Sequence, residues 1–208
     1  MSERRIVLAI TGASAMPVAV KLANMLSRIT DVSLGLVFSR GACRVAEQEG
    51  IDLADLASLA QSVWQDTDLG AGPASGGWWR RCPSAAMIIC PCSMNTLGSI
   101  AAGLGASLIY RAASVALKEK ARLVLVPRET PLSSIALKNM LTVSGAGAVI
   151  MPFCPGFYLR PRNIDELCEQ FCCRILDQLN LDAGCPRWEP EPAQASECAC
   201  GEFSYMAR

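Results

Sequence analysis

The sequence contains no histidine, few aromatic residues and no long hydrophobic segment. Aromatic residues make up only 6% of the 208 positions. The lack of histidine excludes Ser-His-Asp triads and His-ligated zinc, and it removes the side chain that most often transfers protons near neutral pH. No apolar run is long enough to span a bilayer, and the short charged start, residues 1–5, does not resemble a signal peptide. We therefore expect a cytoplasmic protein whose proton transfers use carboxylate, tyrosine, lysine, cysteine or the ligand itself.

Neither sign of charge is in excess. The 19 Lys and Arg residues balance the 19 Asp and Glu residues, so we expect no nucleic-acid partner and no membrane partner. With 51% hydrophobic residues, the chain is long enough for one domain with a full core, which we assign to residues 1–181. Residues 182–208 are rich in Pro, Glu, Ala and Cys without periodicity. We expect this segment to be a tail that is partly disordered or covers the site.

The sequence contains 11 cysteines, and we expect most of them to be free thiols. A disulfide framework is not expected in a protein that is not exported. Several cysteines lie within apolar runs, where a free cysteine behaves as a small hydrophobe: Cys90, Cys92 and Cys154. Cys198 and Cys200, with Cys185 upstream, leave open a metal site or a redox sensor. Because they fall short of a four-ligand zinc set, we predict no metal site.

Continuous apolar runs alternate with helical patterns along the chain. An apolar run without polar alternation is typical of a strand that is buried on both faces, as in a parallel sheet. Five such strands are predicted, at residues 5–10, 32–38, 85–90, 123–127 and 148–153. The alternation of strands with helices predicts an α/β domain with a mainly parallel sheet.

Polar residues follow four of these strands. The loops after them carry Ser14, Ser39, Ser93 with Thr96, and Arg128 followed by Glu129. The carboxyl edge of an open parallel sheet is where ligands bind, and hydroxyl groups with one arginine suit a phosphate. A solvated loop with a surface ion pair is the alternative for the Arg-Glu pair.

A second cationic set consists of Arg111, Lys118 and Arg174, with Tyr158 as a possible hydroxyl donor. Arg111 and Lys118 are seven residues apart in a predicted helix, so both project from one face. Two cations on one face repel unless an anion lies between them. A second bound anion explains this pattern, and a solvated basic face is the alternative.

Nine short stretches and Glu49 carry a family resemblance, which extends over about residues 4–181. The stretches are ITGAS at 10–14, FSRGA at 38–42, PASG at 73–76, PCSMNTL at 91–97, RAASVALKE at 111–119, LVPRETPL at 125–132, GAVIMP at 147–152, PGFY at 155–158 and RILDQL at 174–179. In this order and spacing they resemble the flavin prenyltransferases of the UbiX/Pad1 family, a branch of the flavin-dependent cysteine decarboxylase superfamily.

The resemblance implies a Rossmann-like, three-layer α/β/α subunit that binds FMN and assembles into a dodecamer. It implies metal-independent transfer of a dimethylallyl group from dimethylallyl monophosphate to N5 and C6 of reduced FMN. The product, prenylated FMN, would serve a UbiD-type decarboxylase.

The resemblance also implies roles for individual residues. The FMN-binding set would be Gly12, Ala13, Ser14, Ser39, Ser93, Met94, Asn95, Thr96 and Arg128. The prenyl phosphate would be held by Arg111, Lys118, Glu129, Tyr158 and Arg174, some of them across a subunit boundary. The catalytic residues would be Glu129 and Lys118, together with a proton relay formed by Glu49 and Ser14.

The sequence departs from the family pattern at Ala15, Leu69, Asn95 and Leu159, of which the first two bear on the shape of the site. Ala15 stands where the usual GASGA has its second glycine, and Leu69 stands where some members carry a tryptophan. Two other functions remain open. One is a non-catalytic FMN-binding carrier or subunit of a decarboxylase. The other is an FMN-dependent cysteine decarboxylase, although those relatives rely on a histidine base that this chain lacks.

Overall fold

The computed structural model describes residues 3–187 and contains a six-stranded, fully parallel sheet. The strand order is β3-β2-β1-β4-β5-β6. The strands are β1 (Arg4–Ile10), β2 (Val32–Phe38), β3 (Ser62–Gln65), β4 (Ala86–Cys92), β5 (Arg122–Pro127) and β6 (Val149–Ile150). This confirms the predicted α/β class with its parallel sheet.

Helices cover both faces of the sheet and make the three-layer arrangement. They are α1 (Met16–Ser27), α2 (Arg40–Gln48), α3 (Leu53–Ser58), α4 (Gly76–Arg80), α5 (Met94–Ala101), α6 (Leu108–Lys118), α7 (Ser134–Gly145) and α8 (Ile164–Asp177). Buried residues of α1, α2, α3 and α8 belong to the core on one face. Buried residues of α4, α5, α6 and α7 belong to the core on the other face.

The buried parts of the central strands, such as Ile6–Ile10 of β1, are apolar because each of their faces packs against helices. In β1, Ile6 and Leu8 point into one core and Val7 and Ala9 into the other. All four side chains are almost fully buried. A strand in this position has no solvent face, so its sequence cannot alternate. The continuous apolar runs of the central strands were therefore a valid guide to the sheet.

The two outer strands differ from the prediction. No strand was predicted at Ser62–Gln65, yet these residues form β3 at one edge of the sheet, paired only with β2. Its residues are partly or fully exposed, with Val63 at 47%, so the strand has no continuous apolar run to reveal it. At the opposite edge, β6 contains only Val149–Ile150 of the predicted residues 148–153.

The direction of the strand order changes between β1 and β4. From β1 the chain proceeds to β2 and β3 on one side, and then returns to β4, β5 and β6 on the other. In open parallel sheets, such a point leaves a crevice at the carboxyl edge where ligands bind. The loops after β1 and β4 therefore flank the expected binding crevice.

The structure corrects two of the expectations about cysteine. Cys173 in α8 forms a disulfide with Cys185, and their Cα atoms are 5.8 Å apart, within the range that a disulfide can span. This pairing is contrary to the expectation of free thiols, because the chain after α8 folds back along the helix. Cys90 and Cys92 are buried as predicted, and burial raises the pKa of the Cys92 thiol to about 12. Cys154, in contrast, is exposed.

The boundary of the predicted tail stays a prediction. Leu181 is buried against the core, and residues 182–187 follow it as irregular chain. Cys198 and Cys200, which left open a metal site, lie outside the described residues. No helix within residues 3–187 combines the length and apolar character that crossing a membrane requires.

Ala15 adopts a backbone conformation that favours glycine. Its φ of 99° and ψ of 34° lie in the left-handed region, immediately before α1. Ala15 was identified above as a departure from the family's GASGA pattern. The substitution therefore falls where a Cβ atom is least tolerated.

We expect Ala15→Gly to raise the free energy of unfolding by about 0.5–1 kcal/mol, because it removes the left-handed strain but makes the unfolded chain more flexible. Urea unfolding would measure the change. The matched control is Ala57→Gly within α3, which should lower stability by about 0.5–1 kcal/mol. Equal destabilisation by both substitutions would contradict the assignment of strain to Ala15.

Candidate functional site

A cavity of about 1180 Å³ lies at the carboxyl edge of β1, β2, β3 and β4. It is formed by strand ends, helix N-termini and the loops between them: Gly12, Phe38, Ser39, Arg40, Gly41, Cys43, Val63, Trp64, Gln65, Asp66, Thr67, Ser93, Met94, Asn95, Thr96 and Tyr110. Small-molecule sites usually occupy roughly 300–1,000 Å³. The cavity is therefore large enough for a ligand of nucleotide size.

Two helices begin at the wall of this cavity, and each is capped by a serine. The Ser39 hydroxyl accepts a hydrogen bond from Ala42 N at 3.1 Å at the start of α2. The Ser93 hydroxyl accepts one from Thr96 N at 3.3 Å at the start of α5 and lies 3.0 Å from Thr96 Oγ1. Helix N-termini present free N–H groups and a partial positive charge. Together with these hydroxyls they form a suitable site for a phosphate.

One wall of the cavity requires the backbone at Gly12 to lie in contact with the backbone at Gly41. A Cβ atom on Gly12 would lie 2.9 Å from the Gly41 Cα atom, which is too close for a side chain. The loop after β1 and the start of α2 can therefore touch only because both positions lack a side chain. This explains why the stretches ITGAS and FSRGA each carry a glycine at this place.

Glu49 binds the N-terminus of α1 from the end of α2. Its carboxylate accepts hydrogen bonds from Ala15 N at 3.3 Å and from Met16 N at 2.9 Å. These N–H groups at the start of α1 are thus satisfied within the protein. Ser14 is exposed next to them, and within the described residues its hydroxyl makes no recorded hydrogen bond to Glu49. The proposed relay between Ser14 and Glu49 stays a prediction.

Arg128 directly follows β5 and has an unsatisfied buried donor. Its Nε atom is inaccessible to solvent and has no hydrogen-bond partner within residues 3–187. A buried guanidinium donor without a partner is costly, so this group indicates a missing acceptor. The next residue, Glu129, is exposed, and its Oε1 atom accepts a hydrogen bond from Thr130 N at 3.1 Å.

Two cations of the second set lie on α6. Arg111 Nε donates to Ala74 O at 3.2 Å, and Lys118 Nζ lies 3.5 Å from Glu119 Oε1. Both side chains therefore flank the PASG stretch at residues 73–76. This arrangement supports the prediction that they share one face of the helix.

Tyr158 and Arg174 lie elsewhere, in a separate cavity of about 520 Å³ beside α8. A neighbouring cavity also contains both residues. Within residues 3–187, no recorded contact or shared cavity joins them to Arg111, Lys118 or Glu129. One chain thus brings together Tyr158 with Arg174, and Arg111 with Lys118, but not the whole predicted substrate set.

Six of the nine predicted FMN-binding residues line the large cavity: Gly12, Ser39, Ser93, Met94, Asn95 and Thr96. Ala13 is buried and Ser14 is exposed beside the loop after β1. The sequence did not predict that β3 and the two residues after it line the cavity: Val63, Trp64, Gln65, Asp66 and Thr67. Asp66 is held in this cavity wall because its carboxylate accepts a hydrogen bond from Ile109 N at 2.9 Å near the start of α6.

The fold and this site define a doubly wound α/β protein with a nucleotide-sized cavity at its switch point. The model of the Flavoprotein family matches residues 1–171. The flavin prenyltransferase UbiX of Deinococcus radiodurans is 44% identical over 191 residues, which cover 91% of this chain and 95% of that protein.

Two solved structures agree. AnUbiX (PadA1), in complex with FMN and dimethylallyl pyrophosphate, is 42% identical with a TM-score of 0.85, covering 91% of this chain and all of that one. A dodecameric FMN-dependent UbiX-like decarboxylase from Escherichia coli O157:H7 is 38% identical with a TM-score of 0.84, covering 89% of this chain and all of that one. The chain belongs to the UbiX/PAD1 flavin prenyltransferases of the Flavoprotein family.

The residues present fit FMN, the cofactor of this family. The serine-capped helices offer hydroxyl and amide donors to its phosphate. Arg128 is not among the residues that line the cavity, but it follows Pro127, which pairs with Cys92 just before Ser93, so its unpartnered Nε belongs to the neighbouring strand end. Phe38, Trp64 and Met94 supply apolar surface for a planar ring. Two independent features therefore indicate a ligand here: the unsatisfied Arg128 Nε donor, and the close contact between the Gly12 and Gly41 backbones at the cavity wall.

We expect Ser93→Ala to weaken FMN binding as well as the helix cap. Loss of an N-cap serine should lower stability by about 1 kcal/mol. Ser133→Ala is the matched control, because Ser133 caps α7 in the same way, through Ala136 N at 3.1 Å, but does not line the cavity. Thermal unfolding and FMN titration would separate the two effects. FMN affinity that falls equally in both variants would contradict a direct role for Ser93.

Proposed function

We propose that this chain transfers a dimethylallyl group from dimethylallyl monophosphate to N5 and C6 of reduced FMN, without a metal ion. The product would be prenylated FMN for a UbiD-type decarboxylase. Family membership supports the reaction class. The crystal structure of AnUbiX contains FMN and dimethylallyl pyrophosphate, which supports FMN and a dimethylallyl phosphate ester as the class of ligands; the monophosphate is part of the proposal.

The observation that carries the proposal is a second group of cationic side chains outside the large cavity proposed for FMN. Arg174 and Tyr158 line one cavity, while Arg111 and Lys118 flank the PASG stretch. A simple FMN carrier needs only the first cavity. An enzyme that ionises an allylic phosphate needs a second group of cations for the departing anion.

Within one chain, Tyr158 and Arg174 lie apart from Arg111 and Lys118. This separation supports a site that is completed only when two subunits meet. The related Escherichia coli protein is dodecameric. In this chain α7 presents large apolar side chains to solvent, with Ile135 at 72% and Leu141 at 74% exposed. Exposed apolar residues on one helix are typical of a protein interface. We propose that a homo-oligomer, the expected dodecamer, brings Arg111 and Lys118 to the Tyr158 and Arg174 of another subunit.

The chemistry assigned to the cations follows from the charge of the leaving group. As the C–O bond of the prenyl phosphate breaks, negative charge grows on the phosphate oxygens. Arg111, Lys118 and Arg174 would stabilise this charge more strongly in the transition state than in the substrate, and so accelerate the step. When bound in its reduced form, FMN supplies the two atoms that accept the prenyl carbons.

The carboxylates have different tasks in this proposal. Glu129 would orient the prenyl phosphate next to Arg128, from its exposed position after β5. Glu49 is held by the Ala15 and Met16 amides beside Ser14 and would hold or pass a proton there. No histidine is needed for either task.

The direct test is anaerobic incubation of the purified protein with reduced FMN and dimethylallyl monophosphate, in a metal-free buffer with chelator. Mass spectrometry of the flavin should show the gain of one C5H8 unit. Bound, unmodified FMN with intact prenyl phosphate would overturn the enzyme assignment in favour of the carrier.

We expect Glu129→Gln to lower turnover by about tenfold or more while FMN stays bound, because a carboxylate that positions a phosphate ester contributes through orientation. The matched control is Glu47→Gln, the same change at an exposed position of α2 that lines no part of the FMN cavity. Steady-state turnover and FMN titration of the three proteins would be compared. Normal turnover of Glu129→Gln would show that Glu129 has no catalytic role.

A further inference from the structure

The segment that follows α8 is attached to the helix by two links. Cys185 forms the disulfide with Cys173, the residue immediately before the proposed substrate-binding Arg174. Arg187 Nη2 lies 2.7 Å from Asp177 Oδ1. The disulfide and the ion pair therefore hold Arg187 against the helix that carries Arg174.

Asp177 binds both arginines at once. Its Oδ2 atom accepts a hydrogen bond from Arg174 Nη1 at 3.1 Å, while its Oδ1 atom pairs with Arg187. The Asp177 side chain is 17% exposed, whereas both arginine side chains are 59% exposed. The carboxylate thus lies beneath two guanidinium groups that remain accessible to a ligand.

The local charge depends on Arg187. With two arginines and one aspartate the cluster carries a net charge of +1, and without Arg187 it carries none. The same cavity of about 520 Å³ is lined by Tyr158, Arg174, Asp177 and Arg187, together with both bridged cysteines. A neutral Arg174–Asp177 pair would attract a phosphate far less than a cluster with one uncompensated cation.

We propose that Arg187 is a further phosphate-binding residue of this site and that the Cys173–Cys185 disulfide fixes it there, so that reduction of the disulfide weakens binding of the prenyl phosphate. This inference rests on the proposed function for the identity of the ligand. It adds to that function a residue and a form of redox control.

The redox step is a thiol–disulfide exchange with a dithiol reductant. One thiolate of the dithiol attacks a sulfur of the Cys173–Cys185 bond and releases the other cysteine as a thiolate, which takes up a proton. The second thiol of the reductant then attacks the mixed disulfide, breaks its S–S bond and releases the remaining protein cysteine as a thiol. The protein gains two thiols, and the reductant becomes a cyclic disulfide.

Reduction should release Arg187, because within residues 3–187 few other contacts hold this segment. Residues 182–184 are exposed and Cys185 is half-buried. The described contacts of this stretch are local, such as Gly184 N to Asp182 Oδ1 at 3.0 Å. Once the disulfide is open, an exposed ion pair to Asp177 would have to order the segment alone, and such pairs contribute little.

The test measures affinity for dimethylallyl monophosphate in the full-length, FMN-loaded protein by titration calorimetry. The protein is used as the disulfide form and after treatment with a dithiol, and peptide mapping after alkylation confirms the state of Cys173 and Cys185. We expect the reduced form to bind about tenfold more weakly, as for the loss of one charge-assisted contact. Cys185→Ser should bind as weakly as the reduced protein and should not respond to the dithiol.

Arg187→Gln tests the residue itself and leaves the disulfide in place. We expect it to weaken binding about as much as reduction does, with no further loss on adding the dithiol. Arg28→Gln is the matched control, since Arg28 is exposed at the end of α1 and lines no part of this cavity. If Arg187→Gln or the reduced protein binds as tightly as the disulfide form, the inference is wrong.

The result is independent of whether the reaction occurs. A protein that makes no prenylated FMN would overturn the proposed function. The affinity comparison would still decide whether Arg187 and the disulfide control the binding of an organic phosphate. If the disulfide form and the reduced form bind dimethylallyl monophosphate equally well and turn it over at the same rate, the proposed function stands and only the further inference is wrong.

Discussion

The hydroxyl of Thr11 connects the two halves of the sheet at the point on which the site depends. Thr11 is 1% exposed, donates to Pro91 O at 2.8 Å and accepts from Ser93 N at 2.8 Å. A buried hydroxyl must be satisfied, and both of these bonds cross from the end of β1 to the end of β4. They fix the cap of α5 relative to Gly12, so one side chain sets the position of a helix N-terminus at the switch point.

The sequence revealed the parts of the fold that are shielded on both sides. Strands β1, β2, β4 and β5 are continuous apolar runs because helices cover each face, and their prediction needed only that pattern. The edge strand β3 has no such run, since one side of it is open to solvent. Its identity depends on pairing with β2, a long-range contact that local patterns do not encode.

The same difference applies to the site. Ser39 and Ser93 could be predicted because each directly follows a buried strand, and the end of an apolar run is a local feature of the sequence. Glu49 could be selected only by family resemblance, since its partners lie more than 30 residues away. The disulfide between Cys173 and Cys185 was missed for a further reason: composition and expected location argued against it, and only the return of the chain along α8 brings the two thiols together.

The two proposed anion-binding groups differ in chemistry, and the difference suits two phosphates with different fates. The large cavity proposed for FMN offers mainly hydroxyl and amide donors, which would suit an ester phosphate whose charge does not change during the reaction. The second group offers arginine and lysine side chains, whose full charges favour an anion that gains charge as it departs. A guanidinium group also matches the oxygens of a phosphate with a planar set of donors, which a histidine side chain does not offer. The absence of histidine is therefore consistent with the proposed reaction: the chain must bind and stabilise a leaving phosphate, and this task needs cations and not a side chain that transfers a proton.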